Sequence, residues 1–416
     1  MSGALRAQEQ GCDAPSPSPR GSLQVIVEFL VVGICTLAFA LKAAGLITTL
    51  LTDKYAGDRD FISYWSAGHQ LAQHLNPYDA PAILKLERAA GFAAGLPPLI
   101  VRNPPHALLL VFPLGFFGVR AASLVWSLLL VAALAVSVQM IAAMHGRSKS
   151  QLNFLAYTFA PVLSCLIAGQ MAIPVLLGLV LFLRFHQTRP LLASASLWLC
   201  ALKPHLFLPF GLVLLVWVVA TRGYRIVAGA AAAGVLSVAA LFMLDPLAWT
   251  QYAHAMKAEQ LPSQIIPCVS MVFRWIVNPN STWLQFLPAA LGCLWALTFF
   301  RKHRDNWDWM EHGSLLMLVS VLVAPYAWYM DQTVLLPALM HGLYRTRSRS
   351  LIAILALLSA AIAIGNFMGL PLRTLALYLW TAPAWLVWYV CVMRLARGER
   401  GPAPSRNGVT TVTQKA

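Results

Sequence analysis

The sequence is poor in charged residues, and above all in acidic ones. Only 11% of its 416 residues are charged, and 15 Asp and Glu stand against 30 Lys and Arg, which gives a net charge of +15. Hydrophobic residues make up 59% of the chain. A soluble core cannot hide that much apolar surface, so the composition excludes an ordinary soluble enzyme and is typical of a polytopic membrane protein.

Signals of several other protein classes are missing. The seven cysteines include no CxxC pair and no Cys/His spacing that suggests zinc, and we expect no structural disulfide. No soluble segment carries a basic patch interleaved with stacking aromatics, so we expect no nucleic-acid partner despite the positive charge. The first apolar run is too long for a signal peptide, and we interpret it as an uncleaved first span.

Apolar runs of about 20 residues divide the chain into candidate membrane spans. Residues 1–22 and 395–416 are expected to be flexible cytoplasmic tails on either side of one transmembrane domain, 23–394. Within that domain we predict an all-α bundle of about twelve transmembrane helices. Their expected positions are 24–51, 119–144, 151–168, 171–186, 190–204, 206–220, 226–244, 283–300, 313–328, 331–344, 350–367 and 374–393. The segment 105–117 is too short and too interrupted by Pro and Gly to span, so we expect it to be re-entrant or interfacial.

The joints between the spans alternate in charge. Short basic joints recur at 145–150, 184–189, 221–225, 301–305 and 345–349, and the stretch 394–400 is basic as well. All of them fall on one side if the N terminus is cytoplasmic, which matches the usual bias of Lys and Arg toward cytoplasmic loops. We therefore predict a multi-pass protein of the inner (plasma) membrane with both termini in the cytoplasm, and with the two long loops 52–104 and 245–282 on the outer face.

The first outer loop begins with Gly-Asp-Arg-Asp-Phe at 57–61, followed by Tyr64 and Trp65. Apolar residues at helical spacing after Asp60 predict an amphipathic helix at the membrane interface, and a second helix is expected at 80–90. An Asp in this position has two interpretations. It either caps a helix in a solvated loop or, partly desolvated beside aromatics that can pack on a sugar, acts as a general base.

Cations lie close to apolar runs in two further outer segments. Lys203 and His205 fall between the fifth and sixth spans, and Arg102 ends the first outer loop. A lysine at such a place either snorkels from a helix end or, since cations near hydrocarbon usually have a partner, binds an anion such as a lipid phosphate.

Three more outer residues can be interpreted as structural or as functional. Gln170 either hydrogen-bonds a substrate hydroxyl or satisfies the backbone of a tight turn between the third and fourth spans. Tyr326 belongs to an aromatic cluster that is typical of the membrane–water interface. Asp331 is harder to explain as a surface residue because apolar sequence follows it directly.

These stretches resemble glycosyltransferase family 87, which contains polyprenol-phosphate-mannose-dependent mannosyltransferases and their relatives. Asp-Phe-x-x-Tyr-Trp-x-Ala-Gly at 60–68, followed by Asn-Pro-Tyr-Asp at 76–79, resembles the first outer loop of that family. Asn-Pro-Pro-His at 103–106, Gly-Gln at 169–170, Leu-Lys-Pro-His at 202–205 and Ala-Pro-Tyr-Ala-Trp-Tyr-Met-Asp at 324–331 match in the same order. The resemblance covers most of the chain, roughly 50 to 390.

The resemblance implies the GT-C fold and an inverting transfer of a hexose, with mannose as the best-known sugar, from a polyprenyl-phosphate donor to a glycolipid or glycan acceptor. It implies that Asp60 is the catalytic base. We expect the donor phosphate to be bound by Lys203, His205 and Arg102. We expect the substrates to contact Asp58, Tyr64, Trp65, Gln170, Tyr326 and Asp331. The family pattern implies no metal, although the spacing of Asp58 and Asp60 leaves Mg or Mn open.

The alternative function is a twelve-span transporter of a small molecule or lipid, since twelve spans with both termini inside fit many carriers. A carrier predicts charges at mid-membrane and a repeat between the two halves of the chain. The sequence shows few such charges apart from Lys42, and no clear repeat. Its polar groups are predicted to cluster at one face, which favours the enzyme.

Overall fold

The computed structural model describes residues 22–51, 59–258, 266–368 and 378–398. None of these residues lies in a β-strand, so the described chain is all-helical, as predicted. Residues 1–21 and 399–416 of the two predicted tails lie outside the described residues, as does Asp58. Residues 395–398 continue the last described helix rather than a tail.

The described residues form a succession of α-helices joined by short segments. Their bounds are α1 Ser22–Leu51, α2 Phe61–Ala72, α3 Ala80–Ala89, α4 Leu108–Val111, α5 Val119–Met144, α6 Asn153–Tyr157, α7 Ala160–Ala168, α8 Ala172–Phe185, α9 Pro190–Cys200, α10 Leu208–Ala220, α11 Tyr224–Leu244, α12 Ala248–Ala258, α13 Val269–Val277, α14 Leu287–His303, α15 His312–Leu322, α16 Leu336–Arg345, α17 Arg349–Phe367 and α18 Thr381–Gly398. Short 3₁₀ segments lie at Pro105–Ala107, Phe112–Phe116, Pro204–Phe207, Thr282–Phe286, Arg304–Asn306 and Tyr329–Leu335.

Several of these helices have the character of membrane spans. In the described ranges, four are long and apolar enough to cross a bilayer: Val119–Met144, Tyr224–Leu244, Thr282–Asn306 and Arg349–Asn366. Shorter apolar helices, among them α8 and α15, accompany them. At 1.5 Å per residue, α5 is about 39 Å long, which exceeds the thickness of the hydrocarbon core. The chain is therefore a helical membrane protein.

Some predicted spans are continuous helices and others are not. The predicted span 119–144 coincides with α5, and 171–186 differs from α8 by one residue at each end. The predicted span 151–168 is divided into α6 and α7, with Pro161 in the first turn of α7. Proline has no N–H for the preceding turn, so it begins a helix more readily than it continues one. Likewise, 331–344 starts as the 3₁₀ segment Tyr329–Leu335 before Pro337 opens α16.

The helix predicted in the first outer loop exists, but its predicted amphipathic exposure is wrong. Every residue of α2 from Phe61 to Gly68 is buried, on all faces. A Cβ built on Gly115 would lie 2.2 Å from the Gly68 carbonyl oxygen, so only glycine permits this close approach of α2 to the segment Phe112–Phe116. The small residues of α2 thus pack against protein, and the apolar spacing alone could not distinguish that from a lipid-facing stripe.

Helix α5 links the two ends of the bundle. Near its start, Ser123 accepts a hydrogen bond from Arg59, and just after its end His145 packs against His341. We call the first end, which carries Asp60, Gln170, Lys203 and Asp331, the site end. We call the other, which carries the basic joints 145–150, 301–305 and 345–349, the basic end.

Candidate functional site

A buried arginine fixes the chain just before α2. Arg59 is 3% exposed and lies directly before Asp60. Its guanidinium donates four hydrogen bonds, to Ile167 O at 2.6 Å, Ser123 Oγ at 2.6 Å, Leu166 O at 3.0 Å and Ser127 Oγ at 3.3 Å. Burial lowers the pKa of Arg59 to about 10, against the opposing effect of the Asp60 charge. These bonds satisfy the buried cation and thereby determine where Asp60 begins the helix.

A glycine turn places Gln170 next to Asp60. Helix α7 ends at Gly169, whose φ of 73° is left-handed and favours glycine. A Cβ on Gly169 would lie 2.7 Å from the Cβ of Phe61, and the indole of Trp126 donates to the Gly169 carbonyl at 2.7 Å. The turn therefore packs directly on the start of α2.

Five side chains from four segments form one connected set, which we call the polar network: Asp60, Tyr64, Gln170, Lys203 and Asp331. The Gln170 amide nitrogen donates to Oδ2 of Asp60. The Gln170 carbonyl oxygen accepts from the Tyr64 hydroxyl at 3.0 Å and from Lys203 Nζ at 3.3 Å. Lys203 Nζ in turn donates to Asp331 Oδ1 at 2.5 Å. The structure thus connects five of the residues that the sequence analysis names as candidates for the site.

The Lys203–Asp331 ion pair is buried, with side chains 10% and 3% exposed. A buried pair is tolerated when further hydrogen bonds satisfy its remaining donors and acceptors. Oδ2 of Asp331 accepts the backbone N–H of Trp328 at 2.9 Å at the start of the segment Tyr329–Leu335. The apolar sequence after Asp331 is thus explained, because its carboxylate is paired inside the bundle.

Three predicted residues lie beside the polar network. The ring of His205 stacks on Tyr326 with centroids 3.9 Å apart. Arg102 is near enough to influence Tyr326 electrostatically, and its carbonyl accepts the Tyr252 hydroxyl at 3.2 Å. Tyr326 is 37% exposed, so this group forms the rim of the site rather than its floor.

Two predicted site residues are not brought into the polar network. Trp65 points to the other side of α2, where its indole donates to the Phe117 carbonyl at 2.9 Å and its ring stacks on His69. Asp58 lies outside the described residues, and with it one half of the predicted Asp58–Asp60 pair. Among the described residues, no group of three or more His, Cys, Asp and Glu is placed to hold a metal ion.

Two further charged residues near the site are buried: Arg274, which the sequence places among the outer cations, and Glu87, whose burial the sequence did not predict. Glu87 in α3 accepts the Leu99 N–H with both carboxylate oxygens at 3.2 Å. Burial raises its pKa to about 7, against the opposing effects of the Leu99 bond and Arg88. Arg274 in α13 donates to Gln285 at 2.9 Å, and Gln285 donates to the Pro325 carbonyl at 2.6 Å. A lone cation inside an apolar helix was the available signal for Arg274.

Comparison with known proteins gives one match. The model of glycosyltransferase family 87 matches residues 102–325, which is more than half of the chain. The matched range includes Arg102, Gln170, Lys203 and His205, whereas Asp60 and Asp331 lie outside it. No curated protein and no solved structure matches the chain.

Proposed function

The chain belongs to glycosyltransferase family 87, and we propose that it transfers a hexose, with mannose as the first choice, from a polyprenyl-phosphate sugar to an acceptor hydroxyl. The acceptor is a glycolipid or another glycan. The reaction inverts the configuration at the anomeric carbon, and Asp60 is its base. Membership of the family supports glycosyl transfer, and the donor, the sugar and the base are our proposal.

The polar network carries this proposal. A carboxylate at the start of α2 is joined through Gln170 to a lysine whose charge is balanced by Asp331. A base and a cation thus lie in one connected set at one end of a helical membrane protein. Transfer from an anionic lipid donor requires both.

In the proposed reaction, Asp60 takes the proton of the acceptor hydroxyl as its oxygen attacks the anomeric carbon. The bond from that carbon to the phosphate oxygen breaks, and polyprenyl phosphate leaves with the bonding pair. The transition state has oxocarbenium character, as in inverting glycosidases. The phosphate leaves as a stable anion, so the reaction needs no strong general acid. We propose that it proceeds without a metal ion, as the family pattern implies.

Cations stabilise the charge that develops on the leaving phosphate. An ammonium has three N–H donors, and Lys203 directs two of them to Asp331 and Gln170. We assign a third to the phosphate. His205 and Arg102 complete the phosphate site, with Tyr326 beside His205 at its rim.

We further propose the GT-C fold with twelve spans in the inner membrane. The basic end then faces the cytoplasm together with both termini, and the site end faces outward. The lipid tail of the donor lies in the bilayer beside the bundle, and the sugar meets the acceptor on the outer face. The asymmetric distribution of Lys and Arg supports this orientation.

The test compares wild type with Asp60→Asn in nanodiscs, using polyprenyl-phosphate-mannose carrying labelled sugar and a membrane extract as acceptor. One base contributes roughly 10²- to 10⁴-fold, so we expect Asp60→Asn to lose transfer by that factor while remaining folded. Asp79→Asn is the matched control, because Asp79 caps α3 by accepting the Ala82 N–H and Asn is an equally good cap. A parallel reaction with chelator tests the metal-free mechanism.

Each outcome has a defined meaning. Normal transfer by a folded Asp60→Asn protein overturns the base assignment. If wild type transfers nothing, direct binding of the donor decides between a wrong acceptor and a wrong class. Failure to bind any polyprenyl-phosphate sugar favours the transporter.

A further inference from the structure

The Gln170 side chain is bonded to three other members of the polar network. Its side chain bonds Asp60, Tyr64 and Lys203, and its backbone N–H donates to the Cys165 carbonyl at 3.0 Å. It is the link between Asp60 and the Lys203–Asp331 pair. Both ends of its amide are therefore engaged with the protein.

The chemistry of the partners determines which way the Gln170 amide points. Lysine ammonium only donates, so the oxygen of the amide must face Lys203. The nitrogen then faces Asp60, whose ionised carboxylate only accepts. The opposite orientation would set an N–H against Lys203 and two oxygens against each other. The amide is thus fixed by its neighbours and is not a free hydrogen-bonding group.

We propose that Gln170 is a positioning residue for Asp60 rather than a ligand of the sugar. Its N–H fixes the carboxylate rotamer and favours the charged form that a base requires. The ammonium on its carbonyl oxygen polarises the amide and strengthens that N–H as a donor. The positive charge of Lys203 thereby acts on Asp60 through the Gln170 amide.

This inference rests on the proposed function only for its catalytic meaning, because the effect on the Asp60 carboxyl is independent of turnover. It is measured with dicyclohexylcarbodiimide, an apolar reagent that modifies protonated carboxyl groups. Labelling of the Asp60 peptide is followed by mass spectrometry across a pH series, which gives the midpoint pH at which the carboxyl ionises. Asp60→Asn identifies the labelled position.

The decisive variant is Gln170→Met, which keeps the length of the side chain and removes its hydrogen bonds. We expect the labelling midpoint of Asp60 to rise by about one pH unit or more, because a donor to the charged form is lost. Gln73→Met is the matched control, since Gln73 is exposed at the end of α2, and its midpoint should equal that of wild type. Tyr64→Phe provides a second variant that leaves the Gln170–Asp60 bond in place and should shift the midpoint upward by less.

Kinetics separate positioning from substrate contact. Gln170→Met should lower kcat and leave KM for donor and acceptor within about twofold of wild type, because only transition-state geometry is affected. An unchanged Asp60 midpoint in folded Gln170→Met, or in Tyr64→Phe should the first variant not fold, overturns the inference. A raised KM with an unchanged midpoint makes Gln170 a substrate ligand instead. If the midpoint shifts in Gln170→Met but the wild-type protein binds no polyprenyl-phosphate sugar, the proposed function is rejected and the positioning role of Gln170 stands.

Discussion

Charged side chains are buried at the site end of the bundle and exposed at the basic end. Among the described Asp, Glu, Lys and Arg residues, the buried ones belong to the site end or to the segments packed on it: Arg59, Glu87, Lys203, Arg274 and Asp331. At the basic end, by contrast, Arg147, Arg304 and Arg347 are exposed. The two ends therefore use charge in different ways.

Buried polar groups at the basic end are mainly uncharged or aromatic. His341 contacts the Met310 carbonyl at 2.7 Å through Nδ1, and the Tyr344 hydroxyl donates to Asn153. His145 packs edge-on against His341 and Tyr344. Burying an ion without a partner costs much free energy, so a chain with few acids can bury only a few of its cations and leaves the others in water. Buried charge is therefore a property that distinguishes the site end from the basic end.

We expect the largest difference in stability between the two ends when one ion pair is broken at each end. Lys203→Met leaves Asp331 buried without its cation and should cost about 3–5 kcal/mol of stability. Arg397→Met breaks the pair with Glu311, whose N–O distance is 3.5 Å and whose side chains are 73% and 37% exposed. That exposed pair should be worth less than about 1 kcal/mol. Thermal unfolding in detergent measures both.

The double variant Lys203→Met/Asp331→Leu sharpens this first prediction. It removes the uncompensated charge as well, so it should recover much of the stability lost in Lys203→Met. Equal losses of stability in Lys203→Met and Arg397→Met would mean that the buried ion pair at the site end contributes no more to stability than the exposed pair at the basic end.

Substitution of one glycine at each end by alanine should give the next largest difference in stability. Gly169 and Gly146 both have positive φ, 73° and 64°. A Cβ on Gly146 would meet nothing within 4 Å, whereas on Gly169 it would collide with Phe61. Gly146→Ala should therefore cost only the left-handed backbone penalty of about 1–2 kcal/mol, and Gly169→Ala clearly more. Unfolding temperatures that fall equally would refute the tight packing of α2 on this turn.

The smallest expected effect concerns the pH dependence of stability, to which one group near each end contributes with opposite sign. Burial raises the pKa of Glu87 from 4.5 to about 7, so its protonated form is favoured in the folded state and stability falls as pH rises across that range. In the joint 145–150, burial and the neighbouring cations lower the pKa of His145 from 6.5 to about 4. Its neutral form is favoured, so stability falls as pH drops through that window.

Single substitutions test this pH response. Glu87→Gln keeps an oxygen for the Leu99 N–H and should remove the loss of a few degrees in unfolding temperature between acid and neutral pH. The two pH windows overlap, so Glu87→Gln should make the unfolding temperature rise more steeply with pH between about 4.5 and 6.5, and His145→Gln should make it rise less steeply or fall. Slope changes of the same sign in both variants would show that these two groups are not the source of the pH dependence.

The sequence allowed the helix positions to be predicted wherever an apolar run was long, as for α5 and α8. It also singled out Asp60, Gln170, Lys203 and Asp331, because polar residues stand out at the ends of apolar runs. Their bonding order was not predictable. The partners of the Gln170 amide oxygen and nitrogen depend on the directions of side chains in segments that lie far apart along the chain.

The burial of Arg59 was not predictable from the sequence either. Two of its acceptors are backbone carbonyls and two are serines on an otherwise apolar helix, so none of them carries a sequence signal for a buried cation. The burial of α2 was missed for a related reason. Small residues fit both a close backbone contact and a weakly polar helix face, and only the position of Gly115 distinguishes them.

The separation of Lys203 from Asp331 along the chain has a consequence for biogenesis. The two residues are 128 positions apart. At a synthesis rate of roughly 5–20 residues per second, Lys203 leaves the ribosome roughly 6–25 seconds before its partner. During that interval the half-made chain carries Lys203 without its ion-pair partner. The final packing of α9 and α10 can therefore form only after the segment Tyr329–Leu335, which carries Asp331, has been synthesised.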